Sequence, residues 1–324
     1  MKIRILCRAL CFFCLLGLAT VLHAEDRYPV RPIKVIVPYP AGGIIDIAAR
    51  IVSERIAQDW GQAILVENRP GANGNIGATA VKNAAPDGYT LLVGSTFLVT
   101  NPLLDDTAKV GSQDFAPIGT LGVPPNLLAV PASSPAKNLA EFVALAKSRP
   151  GQLNTANPGV GSSNHLGTEA FMLAAGVDLV LVGYKGQPPF IPDLLNGQLD
   201  FVFISAGLAT AHVRSGKLRP LAVSYDKRLK NYPEIPTVGE LGYPEASVLP
   251  WTGIFAPAGT PAPILKQWAS ELKKALQDPE VIRRYDAMEA VNPGLFLGDF
   301  AHFLEKENTR WQKLIQERHL QHQP

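Results

Sequence analysis

The sequence predicts an α/β protein with two lobes that face each other across a cleft. Short apolar, often β-branched runs alternate with segments of helical periodicity along most of the 324 residues, which is typical of sheets covered by helices. The alternation breaks near Gly122 and near Pro250 and resumes after each break, and the length suits about two domains. We therefore expect two Rossmann-like lobes, the first from residues 25–123 and 251–324 and the second from residues 124–250.

The first 24 residues have the pattern of a secretory signal peptide. A basic start precedes an apolar stretch from Ala9 to Leu22, and Ala24 offers a small residue for cleavage before Glu25. This stretch is shorter than the roughly 20 residues that a transmembrane helix needs, which disfavours an uncleaved anchor. We expect export to the periplasm with cleavage near Ala24.

Removal of this leader changes what the composition implies. The leader holds all three cysteines and three of the 30 basic residues, so 27 basic residues remain against 28 acidic ones. A general nucleic-acid binder needs a basic excess. A chain without cysteine has no disulfide, thiolate nucleophile or Cys-ligated metal. We expect a monomer with no cofactor, no metal site and no nucleic-acid partner.

The first lobe begins with alternating strands and helices. The β-branched run at residues 33–37 predicts a buried strand. Residues 44–60 carry apolar side chains at helical spacing, and Gly61 ends that helix. The further predicted elements are a strand at 63–66, a helix at 76–84 and a strand at 89–93. Strands that alternate with helices predict a parallel sheet.

The second lobe repeats the alternation. Asn138 can cap a helix that Pro150-Gly151 closes. The predicted strands are at residues 127–130, 153–156, 179–182, 201–204 and 221–224. The predicted helices are at residues 139–147, 165–175, 191–196 and 208–215. After the second crossing, residues 254–256 are expected to rejoin the first sheet, and amphipathic helices at 262–276 and 297–316 end the chain.

Three strand-to-helix loops carry small or hydroxyl residues that suit an anion. Gly42-Gly43 and Ser95-Thr96 follow strands of the first lobe, and Gly161-Ser162-Ser163 follows a strand of the second. Ligands of open α/β sheets bind at the carboxyl ends of the strands. Glycines and free N–H groups at helix starts favour negative charge. A single loop of this kind is commonly only a strand-to-helix turn without a ligand. Three such loops on one cleft predict a ligand site.

Enzyme motifs do not occur in the sequence. The first loop lacks the spacing of G-x-G-x-x-G, and there is no P-loop or G-x-S-x-G elbow. The histidines show no paired metal spacing. His165, three residues after Ser162, suits a capping or wall residue better than a general base. An exported hydrolase or isomerase that uses this pair is an alternative, but we expect no enzyme.

Ten short blocks span nearly the whole chain after the leader. They are Tyr28-Pro29, residues 38–43 with Asp46, residues 66–72, 74–77 and 86–92, Gly161-Ser162 with His165-Leu166, and residues 184–186, 197–199, 216–219 and 255–261. In this order they resemble the periplasmic Bug (TctC-like) family, the substrate-binding proteins of tripartite tricarboxylate transporters. The blocks Glu-Asn-Arg-Pro-Gly and Pro-Asp-Gly-Tyr-Thr are the most specific.

The resemblance implies a type II periplasmic binding protein, a two-lobed flytrap without catalysis. It would deliver a small organic carboxylate to inner-membrane transporter subunits; a ligand-sensing adaptor for a sensor kinase is the alternative. Family members hold a ligand carboxylate through backbone amides, small hydroxyl residues and waters. At the matching positions, the expected ligand-binding residues are Ala41, Gly42, Gly43, Asp46, Ser95, Thr96, Ser162, Ser163, His165 and Tyr184.

Three departures from the family pattern bear on the ligand. Ile45 stands where relatives often carry a small polar residue, Ile204 where they often carry Asp, and residues 94–101 are about one residue short. A carboxylate at position 204 pairs with an ammonium, and Ile204 cannot. We therefore expect a carboxylate without an amine, aromatic or otherwise bulky, against walls of Ile44, Ile45 and Phe97. The competing interpretation is that Ile204 packs in the core.

Overall fold

The computed structural model describes residues 28–105 and 108–321, so the predicted leader lies outside the described residues. The strands in these ranges are β1 Ile33–Val37, β2 Ile64–Asn68, β3 Thr90–Ser95, β4 Phe115–Leu121, β5 Asn126–Pro131, β6 Asn154–Asn157, β7 Val180–Gly183, β8 Val202–Ser205, β9 Leu218–Ser224 and β10 Thr252–Pro257. The α-helices are α1 Ile44–Trp60, α2 Asn75–Lys82, α3 Phe97–Leu104, α4 Leu139–Ser148, α5 Ser163–Ala175, α6 Ile191–Leu195, α7 Ala206–Arg214, α8 Ala262–Ala275, α9 Pro279–Ala287 and α10 Leu297–Glu317. No helix in this part of the chain is both long and apolar enough to cross a membrane.

The first sheet has five strands in the order β2-β1-β3-β10-β4. Strands β1, β2 and β3 are parallel, as predicted, but β10 runs antiparallel to both β3 and β4. The prediction of an all-parallel sheet was therefore wrong. Two parallel strands that are adjacent in a sheet are joined by a crossover connection. Strand β10 has no such connection, because the chain enters it after the strands of residues 126–224, which belong to the second layer.

The strands of residues 126–224 form a second layer. Strand β5 is antiparallel to both β8 and β9, while β6 and β7 form a parallel pair. A single bridge between Thr155 and Phe201 joins the two groups. We call the chain around the first sheet the first lobe and the chain around this layer the second lobe; the boundaries at residues 123 and 251 stay predictions.

Three elements were not predicted from the sequence. Strand β4 contains Pro117, which is tolerated because β4 is an edge strand. Helix α3 is apolar on nearly every side and contains Pro102, so it lacks a helical period. Helix α9 begins at Pro279 after the Asp278 cap, a start that suits proline.

Hydrophobic cores cover both faces of the first sheet, and one of them reaches the second lobe. Along β1, Val35 and Ile36 belong to different clusters because successive side chains point to opposite faces. Leu166 and Ala170 of α5 pack in the same cluster as Phe97. The two lobes are therefore in apolar contact in this structure.

Candidate ligand-binding site

The loop between β1 and α1 is held in place by Asp46. The buried carboxylate accepts hydrogen bonds from Gly42 N (2.9 Å), Arg50 Nε (3.0 Å) and Asn68 Nδ2 (2.9 Å). Burial favours its neutral form, but these hydrogen bonds and the Arg50 charge outweigh burial and hold the pKa of Asp46 below its ordinary value. Asp46 thus shapes the loop, while Ala41, Gly42 and Gly43 stay exposed.

The end of β3 is tied to the same loop region. Ser95 Oγ and Tyr39 Oη share a hydrogen bond of 2.5 Å, and both Ser95 and Thr96 are buried. Thr96 is the N-cap of α3. Burial raises the pKa of Tyr39 to about 12, so this phenol keeps its proton at neutral pH.

The loop between β6 and α5 of the second lobe lies directly on the first lobe. Thr100 Oγ1 donates to Gly161 O at 3.0 Å, and Asn73 Nδ2 donates to Val160 O at 3.2 Å. Gly161 has φ +77°, and a Cβ at this position would lie 2.6 Å from Leu104 Cδ1. A side chain at 161 would therefore require Leu104 or the loop to shift, and the left-handed φ is itself unfavourable for any residue but glycine.

A second close approach joins the start of α1 to the start of α7. A Cβ on Gly207 would lie 2.9 Å from Met288 O and 3.7 Å from Ile44 Cδ1. Ile44 is the first residue of α1, and Gly207 is the second residue of α7. The structure therefore brings the first-lobe loop that contains Ala41, Gly42 and Gly43 next to the second lobe.

The remaining predicted residues of the second lobe are mostly engaged within it. Ser162 caps α5, because its Oγ accepts from His165 N at 3.2 Å, and Ser163 follows half-buried. His165 Nδ1 accepts from Gly161 N at 3.2 Å, and its Nε2 lies 3.8 Å from Glu169 Oε1. Burial lowers the pKa of His165 to about 4, so the ring is neutral at pH 7. This ring holds the Gly161 loop, and Ser162 Oγ is bonded to the main-chain N of His165 rather than to its ring.

Tyr184 turns toward α6. Its hydroxyl donates to Asp193 Oδ2 at 2.6 Å, and its ring meets Phe190 edge-on at 5.9 Å between centroids. Burial, with the neighbouring Asp193, raises the pKa of Tyr184 to about 12. Within the described residues no side-chain hydrogen bond joins Tyr184 to the other predicted site residues.

Ile204 does not form a pocket wall. It is fully buried in the second-lobe core, where Leu127 and Val202 belong to the same cluster. Phe97 is likewise buried in the first-lobe core, while Ile44 and Ile45 are half-buried. The structure therefore favours the competing interpretation, that Ile204 packs in the core, and Phe97 is used for packing as well; the walls of the ligand site stay a prediction.

A chain of buried and half-buried polar groups, which no sequence motif predicted, lies beneath the start of α5. Ser205 N donates to Gln187 Oε1 (2.8 Å), and Gln187 Nε2 donates to Asn164 Oδ1 (3.3 Å). Asn164 Nδ2 donates in turn to Asn126 Oδ1 (3.1 Å) and to Phe203 O (2.9 Å). Isolated Asn and Gln residues form no recognisable sequence motif. The one sequence feature that could have indicated this chain is that Asn164 directly follows Ser163 of the predicted ligand loop.

The described ranges contain no group of three or more His, Cys, Asp or Glu side chains suited to a metal ion. The loops described above instead offer main-chain N–H groups, hydroxyls and neutral amides. Such groups donate hydrogen bonds without carrying charge, which suits a small anion at helix starts.

The profile of the tripartite tricarboxylate transporter family receptor matches residues 48–320. The chain belongs to this family. The resemblance drawn from the sequence blocks is thereby confirmed. BugT of Bordetella pertussis is 34% identical over 310 residues, which cover 94% of each chain. A Pseudomonas protein encoded between tcbD and tcbE is 35% identical over 294 residues, covering 90% of this chain and 88% of the relative.

Solved structures of family members confirm the two-lobed periplasmic binding protein fold. The periplasmic binding protein BugD is 31% identical with a TM-score of 0.79, covering 91% of this chain and 99% of BugD. An R. palustris protein solved with adipate is 31% identical with a TM-score of 0.80, covering 89% and 97%. MatC of Rhodopseudomonas palustris, solved with malate, is 32% identical with a TM-score of 0.78, covering 89% and 100%. The family is one of periplasmic solute receptors rather than enzymes.

Proposed function

We propose that this chain is an exported, monomeric receptor that captures a small organic carboxylate between its lobes. It would release the ligand unchanged to the membrane subunits of a tripartite tricarboxylate-type transporter. The observation that carries this proposal is the contact of Thr100 with Gly161, because it sets ligand-type loops of both lobes against each other. Relatives solved with adipate and with malate support a carboxylate as the ligand.

The ligand contacts proposed for the first lobe are the main-chain N–H groups of Ala41 and Gly43 with the hydroxyls of Ser95 and Thr96. Gly42, whose N–H donates to Asp46, shapes the loop instead. Micromolar binding needs about 8 kcal/mol. Each hydrogen bond to a charged group contributes about 1.5–3 kcal/mol, so three or four of these donors suffice without an arginine.

In the second lobe we assign ligand contact to Ser162 and Ser163, at the positive end of α5. The roles of Asp46, His165 and Tyr184 are to position the loops, since their polar atoms are already bonded inside their own lobes. We further propose a dicarboxylate without an amine. Adipate and malate in the relatives support this class, whereas the buried Ile204 no longer does.

Capture would depend on closure of the lobes. An open form admits the ligand, and the closed form gains contacts from both lobes, so ligand shifts the population toward closure. The transporter would then recognise the closed form. The interlobe contacts in this structure are the ones that opening would break, beginning with the Thr100 and Asn73 hydrogen bonds.

A thermal-shift screen of the chain from Glu25 onward tests the proposal. The panel holds adipate, malate and benzoate, with aspartate and a neutral sugar for contrast. A ligand at 100 times its dissociation constant stabilises the fold by about 2.7 kcal/mol, a readily measured rise in Tm. We expect such a rise in Tm with at least one dicarboxylate. No rise with any carboxylate would contradict it.

A further inference from the structure

The orientations of the three side-chain amides beneath α5 are fixed by two main-chain groups. Ser205 N–H needs an acceptor, so Gln187 Oε1 faces it and Gln187 Nε2 faces Asn164 Oδ1. At the other end Phe203 O needs a donor, so Asn164 Nδ2 faces it, in agreement with the first assignment. The same Nδ2 donates to Asn126 Oδ1. Asn126 must therefore present its Nδ2 away from Asn164.

Two polar groups at this point have no partner in the described part of the chain. They are Asn126 Nδ2 and Ser205 Oγ, on residues that are 2% and 4% exposed. Asn126 and Ser205 are directly paired across β5 and β8, so their side chains lie side by side on one face of the sheet. An unpaired buried donor costs about 1–3 kcal/mol, so two adjacent ones call for a binding partner.

The helix starts nearby favour a negative partner. Ser205 is the N-cap of α7, yet its hydroxyl makes no cap bond, unlike that of Ser162 on α5. Asn164 lies in the first turn of α5. The positive ends of both helices therefore lie beside the two unused groups, in a site with no carboxylate among its bonded residues.

The first lobe covers this site in the present structure. Gly207, two residues after Ser205, lies against Met288 O and Ile44. Ser205 and Gly207 thus belong to the edge of the second lobe that faces the start of α1. Opening of the lobes would uncover that edge, which gives a ligand its route.

We propose that Asn126 Nδ2 and Ser205 Oγ form a second carboxylate subsite, which selects dicarboxylates over monocarboxylates. One ligand carboxylate binds at the Ala41–Gly43 loop and the other at this pair. The inference rests on the proposed function, because it assumes that the cleft binds a carboxylate. It adds the two residues that bind the second carboxylate of the ligand, and neither residue belongs to one of the sequence motifs.

Calorimetry with adipate, malate and hexanoate tests the subsite; hexanoate has the chain length of adipate with one carboxylate. The wild type is expected to prefer a dicarboxylate. Ser205→Ala is expected to weaken dicarboxylate binding about tenfold or more and to change hexanoate binding less than about twofold. Asn126→Asp keeps the acceptor for Asn164 but turns a carboxylate oxygen toward the ligand, so it should weaken dicarboxylate binding further. Ser148→Ala, an exposed serine on α4, is the binding control.

A stability measurement separates a ligand role from a structural one. Ser205→Ala should leave the Tm of the ligand-free protein unchanged or slightly higher, because the hydroxyl has no partner. Ser224→Ala should lower it, since Ser224 Oγ donates to Ala246 O (2.9 Å) and accepts from Val248 N (3.0 Å). The subsite proposal is wrong if both Ser205→Ala and Asn126→Asp bind dicarboxylates as tightly as the wild type does. It is also wrong if the wild type prefers hexanoate to the dicarboxylates. Neither result would contradict the proposed function. A wild type that binds no carboxylate would overturn the proposed function itself.

Discussion

Thr100 of the first lobe donates a hydrogen bond to Gly161 of the second, with 3.0 Å between Oγ1 and O. The acceptor belongs to the loop that leads into α5, and the donor lies in α3, one helical turn after the Thr96 N-cap. One side-chain bond thus links two of the predicted ligand loops. It gives the closed arrangement a specific contact that can be removed by substitution.

Thr100→Val removes this bond, together with the one that the same hydroxyl shares with Thr96 O at 3.2 Å, with little change in shape. The Gly161 carbonyl loses its partner from the first lobe, so we expect the free energy of unfolding to fall by about 1 kcal/mol. Ligand affinity should fall about fivefold, because the closed form is weakened more than the open form. Thr309→Val is the control, since Thr309 Oγ1 bonds the Glu305 carbonyl of its own helix. Equal ligand affinity in Thr100→Val and wild type would show that the bond does not contribute to closure.

Asp46→Asn tests the carboxylate that shapes the first loop. Hydrogen bonds from Arg50, Gly42 N and Asn68 hold the pKa of Asp46 below its ordinary value despite the burial that opposes them. A depressed folded-state pKa gives stability that is present above about pH 4 and is lost as the pH falls through the folded pKa. Urea unfolding should therefore show a steeper acid loss in the wild type than in Asp46→Asn. Identical pH profiles would contradict this role.

His165→Asn tests the buried imidazole. Burial lowers the pKa of His165 to about 4, so the unfolded chain binds the proton first and stability falls as the pH drops below about 6.5. Between about pH 7 and about pH 5 the wild type should lose about 2 kcal/mol from this group. Asparagine keeps an acceptor for Gly161 N but does not titrate, so its profile should be flatter by that amount. An equally steep profile in the variant would assign the loss to other groups.

Ser162→Ala and Asn138→Ala form a matched pair of N-cap substitutions. Ser162 Oγ accepts from His165 N, and Asn138 Oδ1 accepts from Glu141 N at 2.9 Å. Each substitution should lower stability by about 1 kcal/mol. Carboxylate affinity should fall in Ser162→Ala alone, because Asn138 caps a helix that contributes no proposed ligand contact. A loss of affinity in both variants would point to a general effect of destabilisation.

Ile204→Asp distinguishes a core position from a pocket wall. A carboxylate at a fully buried site without a cation should lower stability by about 4 kcal/mol. Ile204→Val, which keeps the apolar contact, should cost about 1 kcal/mol. A stable Ile204→Asp protein that binds aspartate would instead restore position 204 to the ligand site.

The regular elements were predictable from the sequence where a local pattern and a stop signal coincide. Helix α1 spans residues 44–60 as predicted, because its apolar period ends at Gly61, which adopts the left-handed conformation with φ +61°. Strand direction was not predictable for β10. Its orientation depends on where the chain returns from the second lobe, which no local pattern records.

The sequence patterns indicated the loops of the candidate site but not the polar side chains that lie beneath α5. Small residues at strand ends pointed to the loops of Gly43, Ser95 and Ser162, and the structure sets loops of both lobes against each other. The pairing of Asn126 with Ser205 arises from strand register, although the two residues are 79 positions apart in sequence. The sequence motifs also could not show that Ile204 faces the core, since this depends on which face of β8 meets the helices.

Titration calorimetry of the chain from Glu25 onward, with adipate and malate, tests the central claim most directly. The account predicts saturable binding of at least one of them at one site per chain, with a dissociation constant in the micromolar range or below. We also expect the acid to be recovered chemically unchanged from the calorimeter cell after the titration. No saturable binding of either acid, or its conversion to another compound, would contradict the account.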